Sequence, residues 1–295
     1  MLQRFLSAAV AALFLAGGVR DSVSAQPQGA QTPGGDVQVA VPQGRGAAPG
    51  PGGQGGRGRQ AGPPPGPAPR SAEGRVLLGG ATPAIKGLWL PVFGIRDPIS
   101  PAATVPFQPW AKGIYDDRQK HELEPHTRCK PSGVARQFLT PYGVEFVEMP
   151  ELQRLYIFDV GGPHTFRTVF MDGRTHPKTI TPTYYGHSIG WWEGDTLLID
   201  TTGFNESFWL DRRGLPHTDR LRTLERYTRT DAVTIKYEVT VDDAGAYTAP
   251  WKGGFNLRWE AGQELFEYVC QQANYAGELM VGDQKSVDRN SSIVP

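Results

Sequence analysis

The chain has 295 residues, with 30 Lys and Arg against 30 Asp and Glu and a formal net charge of zero. That balance argues against a surface built to track nucleic-acid phosphates, which depends on clustered positive charge, so no nucleic-acid partner is expected. Length and a 39% hydrophobic content suit one folded domain of moderate size.

Residues 1–25 read as a cleavable export signal. Arg4 supplies positive charge, Phe5 to Ala16 is an uncharged apolar run, and Val23-Ser24-Ala25 places small residues ahead of Gln26. The run is shorter than the roughly 20 residues a spanning helix needs, and it soon meets Gly17, Gly18, Arg20 and Asp21. No cysteine follows it to carry a lipid. The mature chain is therefore expected to be exported, periplasmic or extracellular, without an integral membrane segment. In such an oxidising compartment Cys129 and Cys270 are candidates for a disulfide. It would close a long loop and stabilise by roughly 5 kcal/mol on the chain-entropy account. Two buried free thiols are the alternative.

Residues 26–72 are dominated by Gly, Pro, Gln, Ala and Arg, and read as a disordered linker with too little apolar surface to offset its ordering entropy. A single β-rich domain is expected over 73–295. Its Pro-rich beginning carries few alternating patterns, with one short helix expected from Pro109 that sets Trp110 and Ile114 on one face. Strands are expected at Val144 to Glu148, Arg154 to Val160 and His164 to Met171, the last followed by an Asp172-Gly173 hairpin turn signal. Tyr184 to Trp192 and Thr196 to Thr201 flank Glu193-Gly194-Asp195, the clearest hairpin. Leu221 to Arg229 follows. Thr234 to Asp242 alternates best, with Ile235, Tyr237, Val239 and Val241 on one face. Phe255, Leu257 and Trp259 share a face, Leu265 to Cys270 closes the series, and Tyr275 to Val281 reads as a short terminal helix. Eight to nine strands joined by short connections predict an antiparallel, lipocalin-like β-barrel, with a two-layer sandwich as the other closure. Gly203 to Thr218 is the one long connection, a candidate lid over one end.

Three polar residues stand on apolar faces and are candidates for acid–base catalysis: His164 with Phe166 and Phe170, His187 with Tyr185, Ile189 and Trp191, and Glu225 with Leu221, Thr223 and Tyr227. If those faces point inward, the polar groups do too, and a buried imidazole beside a carboxylate suits proton transfer near neutrality. A buried Glu225 would then need Arg, His or Tyr beside it. Arg167 is the candidate for holding an anionic group. Tyr185, Trp191 and Trp209 are candidate ligand walls, and Asp211 and His217 candidate contacts from the long connection. The six histidines show no metal-ligand spacing, so no cofactor is expected, although histidines on different strands can converge. No nucleophile elbow, Walker loop or dinucleotide fingerprint is present.

The run Tyr184 to Phe204 (YYGHSIGWWEGDTLLIDTTGF) resembles a segment of an uncharacterised family of bacterial exported proteins. GPHTFRTVFMDGRTHP from Gly162, TVDDAGAYTAPW from Thr240 and CKPSGVARQF from Cys129 are similar to it as well. The resemblance covers most of 106–282 and implies a secreted bacterial protein without implying a reaction. Gly190-Trp191-Trp192 is also similar to a lipocalin element, which by analogy implies a ligand-holding barrel. These readings together predict an exported barrel holding a small organic molecule in an apolar pocket. Its chemistry would be of lyase, isomerase or hydratase type on His164, His187 and Glu225. A non-enzymatic carrier or an envelope interaction module is the alternative.

Overall fold

The computed structural model describes residues 65–92, 97–121, 124–159, 165–267 and 270. The expected export signal, most of the linker, His164 and the expected terminal helix lie outside the described residues. Nine strands close into one barrel: β1 (Gly87–Pro91), β2 (Val144–Met149), β3 (Arg154–Asp159), β4 (Phe166–Phe170), β5 (His187–Glu193), β6 (Thr196–Thr202), β7 (Arg222–Arg229), β8 (Thr234–Asp242) and β9 (Trp251–Ala261). β9 returns to pair with β1, so the sheet has no open edge.

The mainly β class and the barrel agree with the sequence pattern, with two differences in detail. β4 and β5 pair in parallel, through Val169↔Ser188 and Phe170↔Ile189, while every other junction is antiparallel. Asp172-Gly173 therefore turns the chain without making a hairpin. The chain instead runs from Met171 to Gly186 before β5 begins, because a parallel neighbour requires a return to the starting end. The second difference is at the C-terminal side. β9 ends at Ala261, and residues 263–267 are not strand, so the strand expected from Leu265 is replaced by a longer β9.

Strands β5 to β8 follow their sequence signals closely. Gly194, at φ +57, makes the expected turn between β5 and β6. Ile235, Tyr237, Val239 and Val241 are all buried on the inner face of β8. The chain is tied on ahead of residue 73. Gly66 O accepts from Ala232 N, and Arg70 grips Asp195 with contacts of 2.8 and 2.5 Å.

The connections after β1, β6 and β8 all emerge at one end of the barrel, and α1 (Pro109–His121) closes that end. Its buried positions are Ala111 and Tyr115, whereas Trp110 is 48% exposed. The expected Trp110/Ile114 face is rotated by one residue because Tyr115 packs on Phe107, which in turn packs on Tyr247. Arg118 stacks over Trp209 and donates to Gly214 O at 3.0 Å, joining the helix to the β6–β7 connection.

The barrel is not hollow. Residues 132–140 are buried at every position, and this segment of the β1–β2 connection enters the barrel as a plug. The Phe138 ring lies 5.1 Å from Tyr237, 5.8 Å from Tyr227, 6.1 Å from Phe255 and 6.3 Å from Phe146, each from an inner strand face. Gly133, at φ +71, starts the plug; a side chain there would strike the Phe208 ring at 2.2 Å. A single helix of the described residues exceeds one turn, and none is long and apolar enough to cross a membrane. Cys129 and Cys270, separated by 141 residues, form a disulfide.

Phe138→Ala removes the ring around which four aromatic side chains pack. A loss of about 3–5 kcal/mol is expected, the usual cost of truncating a buried Phe, read as a lower urea midpoint at unchanged slope.

Candidate functional site

The inner faces of β4 to β8 carry polar side chains toward the plugged end. Register sets them side by side: Ile157 opposes Arg167, Ser188 opposes Thr201, Thr201 opposes Thr223, and Glu225 opposes Val239. Arg167 and Glu225 form an ion pair with both side chains at 0% exposure. Arg167 Nε donates to Ser188 Oγ at 2.9 Å, and its Nη2 donates to Thr201 Oγ1 at 2.6 Å and to Glu225 Oε2. Tyr227 and Tyr237 both donate to Glu225 Oε1, at 2.7 and 3.0 Å. Burial alone would lower the Arg167 pKa, but the charge and hydrogen bond of Glu225 together with Tyr227 and Tyr237 outweigh it and hold the guanidinium above its ordinary value. The requirement that a buried Glu225 have Arg or Tyr beside it is met three times over.

The plug carries a second ion pair. Arg136 contacts Glu124 Oε1 through Nε and Glu124 Oε2 through Nη2 at 2.9 Å, and Arg212 Nε stands 3.6 Å from the same carboxylate. Between Val134 and Arg136 the chain makes a tight turn. Ala135 has φ +57 and ψ −55, and Arg136 N donates to Val134 O at 2.6 Å. This is a γ-turn of the rare positive-φ kind, and such strain is held where surrounding structure enforces it, often at functional positions. It delivers Gln137 and Phe138 into the interior.

At the end of β3, Asp159 faces inward. Its Oδ2 accepts from Tyr185 Oη at 2.7 Å, and that hydroxyl lies 3.0 Å from Thr165 Oγ1. Burial pushes the Asp159 carboxyl up to about 7, against the opposing pull of the Tyr185 hydrogen bond and the Arg136 charge.

Several of these inward groups keep atoms without a partner. Among the described residues, Gln137 Oε1 and Nε2, Thr140 Oγ1, Asp159 Oδ1, Arg167 Nη1 and Thr223 Oγ1 are buried and unpaired. Native interiors leave few such atoms, because each costs about 1–3 kcal/mol.

The three residues expected to share one interior are separated. Glu225 is inside, with both oxygens occupied. His164 lies outside the described residues. His187 is on the outer surface, because the apolar faces of β4 and β5 point outward: Phe166 is 53% and Trp191 38% exposed, while Arg167, Val169 and Ser188 are buried. The face assignment inverts because this stretch of interior is polar. His187 stacks on Phe170 at 4.9 Å and places Nδ1 2.9 Å from His176 Nδ1. His176 Nε2 is 3.5 Å from Asp200 Oδ2. Among the described residues no group of three or more His, Cys, Asp or Glu is arranged to hold a metal ion.

Of the expected ligand contacts, Arg167 and Tyr185 face the interior. Arg167 is far more enclosed than a residue at a barrel mouth. Trp191 lies outside and donates to Glu193. Trp209, Asp211 and His217 instead hold the connection that closes the end. Asp211 accepts from the backbone N–H of Ile99, Arg213 and Leu215. His217 sits between Phe208 O at 3.0 Å and Thr218 O at 3.2 Å, and burial lowers its pKa to about 4. Sequence reasoning missed Asp159, Gln137, Ser188 and Thr201. Alternation in β3 and β6 held a signal for two of them; Gln137, in a segment without pattern, had none.

At the opposite end a cleft of about 240 Å³ opens among Arg75, Glu148, Arg154, Leu155 and Trp192. Its charges are already matched. Arg75 pairs with Glu148 at 2.6 Å and stacks over Trp192, and Arg154 lies over Phe170. The plugged interior is therefore the stronger candidate. No family model, curated protein or solved structure matches the chain.

Glu225→Gln leaves Arg167 charged and uncompensated, and a cost of about 3–5 kcal/mol is expected in urea denaturation. Arg167→Met combined with Glu225→Gln removes both charges and should recover at least half of that loss. Asp159 acts with the opposite sign. Its folded pKa of about 7 lies above its ordinary 3.8, so between these values the native state holds a proton that the unfolded state has released. Stability therefore falls as pH rises through that window, by on the order of 4 kcal/mol. Asp159→Asn should match the wild type below pH ~4 and exceed it at pH ~8 in denaturation midpoints.

Proposed function

We propose that this is an exported barrel protein that binds a small organic molecule in its polar interior. The ligand carries a carboxylate or carbonyl oxygen for Arg167. The observation that carries this reading is the concentration of unpaired polar atoms on five side chains inside a closed barrel. Arg167 is the centre of it. Three of its contacts are fixed by Ser188, Thr201 and Glu225, which sets the guanidinium plane and leaves Nη1 with two unused N–H groups. A guanidinium held in this way presents donors in the geometry that suits a carbonyl or carboxylate. Gln137 offers two amide N–H donors and a carbonyl acceptor, and Thr223 a hydroxyl, so an oxygen-rich ligand is favoured over a hydrocarbon. The interior expected to be apolar is in this reading polar beside the aromatic rings around Phe138.

Export is supported by the features of residues 1–25 and by the disulfide, which fits an oxidising compartment. The binding reading also accounts for strain. The positive φ of Ala135 and the unpaired atoms both reduce stability, and a ligand that satisfies those atoms would offset the cost.

Native mass spectrometry of the protein from its own envelope should show an adduct that is lost on denaturation. Gln137→Leu fills similar volume without polar atoms. It should raise the unligated protein's melting temperature by a few degrees while weakening the adduct at least tenfold. A wild-type protein that carries no adduct and binds none of a panel of small carboxylates and ketones overturns the reading.

A further inference from the structure

Asp159 differs from every other buried carboxylate among the described residues. Glu124 has both oxygens on Arg136, Glu225 is taken by Arg167 and two tyrosines, and Asp200 by Arg222. Asp211 is taken by three backbone N–H groups, and Asp243 by Thr218, Gly245 and Ala246. Asp159 alone keeps one oxygen, Oδ1, buried and unpaired, while Tyr185 fixes the other. A carboxyl with one oxygen anchored and the other buried without a partner inside a closed barrel has the arrangement of a proton carrier. On the inner face Asp159 and Arg167 are diagonal neighbours of adjacent strands, since Asp159 N meets Thr165 O and Ile157 opposes Arg167. Backbones at such positions lie about 7–8 Å apart, so the two side chains start from neighbouring points of the same inner face.

Resting on the binding reading above, we propose that Asp159 is the catalytic acid–base residue of the interior site and that the bound molecule is a carbonyl compound with an acidic C–H group beside its carbonyl. Asp159 Oδ1 takes the proton from that carbon. The C–H electron pair becomes the new C=C bond, and the carbonyl π pair moves onto oxygen, giving an enolate held by the N–H groups of Arg167 Nη1. The proton then returns from Asp159 to the same carbon, or to another carbon of the conjugated system, which makes the net reaction an exchange or an isomerisation. No oxidant or second substrate is consumed. Ser188 and Thr201 are engaged with Arg167 and with each other, so a covalent route has no activated nucleophile among them.

Tyr185 is a positioning residue. It and Arg136 are the described groups that favour the charged form of Asp159, against burial. The pH profile of proton transfer should therefore rise around pH 7, as Asp159 becomes the carboxylate, and Tyr185→Phe should move that midpoint upward.

The test uses the full protein in D₂O with 2-oxobutanoate, acetoacetate and 4-oxopentanoate as probes. Proton NMR follows loss of the hydrogens beside the carbonyl, and saturation-transfer NMR on the same samples reports binding. Wild type should accelerate exchange of a bound probe at least about 100-fold over buffer. Asp159→Asn should bind it but lose the acceleration, and Tyr185→Phe should retain exchange with a raised midpoint. Binding without exchange, or exchange that survives Asp159→Asn, overturns the role of Asp159 and leaves the binding reading standing. No binding of any probe overturns both.

Discussion

The ion pair between Arg167 and Glu225 is the constraint on which the rest of this barrel depends. Both side chains are fully enclosed, and an enclosed charge is tolerable only when it is paired and most of the hydrogen-bonding positions beside it are filled. Glu225 therefore draws Tyr227 and Tyr237 to one oxygen, and Arg167 draws Ser188 and Thr201. Those demands place polar residues inward on β4, β5 and β6, which in turn sends Phe166, Phe170, Ile189 and Trp191 outward. The outer surface of β4 and β5 is then partly covered from elsewhere: Arg154 and Arg174 stack on Phe170, and His187 lies against both Phe170 and His176. One interior pair thus accounts for the aromatic character of the exterior.

The plug follows from the same constraint. Nine strands enclose more space than the inner side chains of β2, β3 and β6 to β9 occupy, and Phe138 fills the centre where Tyr227 and Tyr237 converge. The ring has to be carried in on backbone, and backbone brings polar groups with it. The strained turn at Ala135 and the Glu124–Arg136 pair secure that segment, and Gln137 enters beside Phe138 with its amide unmatched. Filling the barrel and furnishing it with polar atoms are one structural event. The result is an interior that gives up stability in exchange for unsatisfied donors and acceptors, a trade found where binding or catalysis takes place.

Much of the β architecture was legible. In β7 and β8 the alternation is strict, because one face is core and the other is solvent, so Glu225, Tyr227 and Tyr237 were placed correctly inward. The demand of Glu225 for a buried partner was equally legible from desolvation alone. β4 and β5 were not legible in the same way. Phe166 and Phe170 look like a core face, and Arg167, on the other face of the strand, looks like surface. Only when the interior is known to be polar does Arg167 read as inward. β1 was missed because five residues in a Pro-rich stretch carry too little alternation to stand out.

What the sequence by itself determined is what local chemistry can encode: short alternating strands, the Gly194 turn, and two cysteines able to join. Which strands become neighbours, and which face of each turns inward, are long-range properties. The parallel pairing of β4 with β5, the entry of residues 132–140 into the barrel and the single open oxygen of Asp159 all depend on groups far apart in the chain meeting in one enclosed volume. Alternation defines two faces of a strand, but the side that goes inward is chosen by the company it will keep there, and that company is assembled only on closure of the barrel.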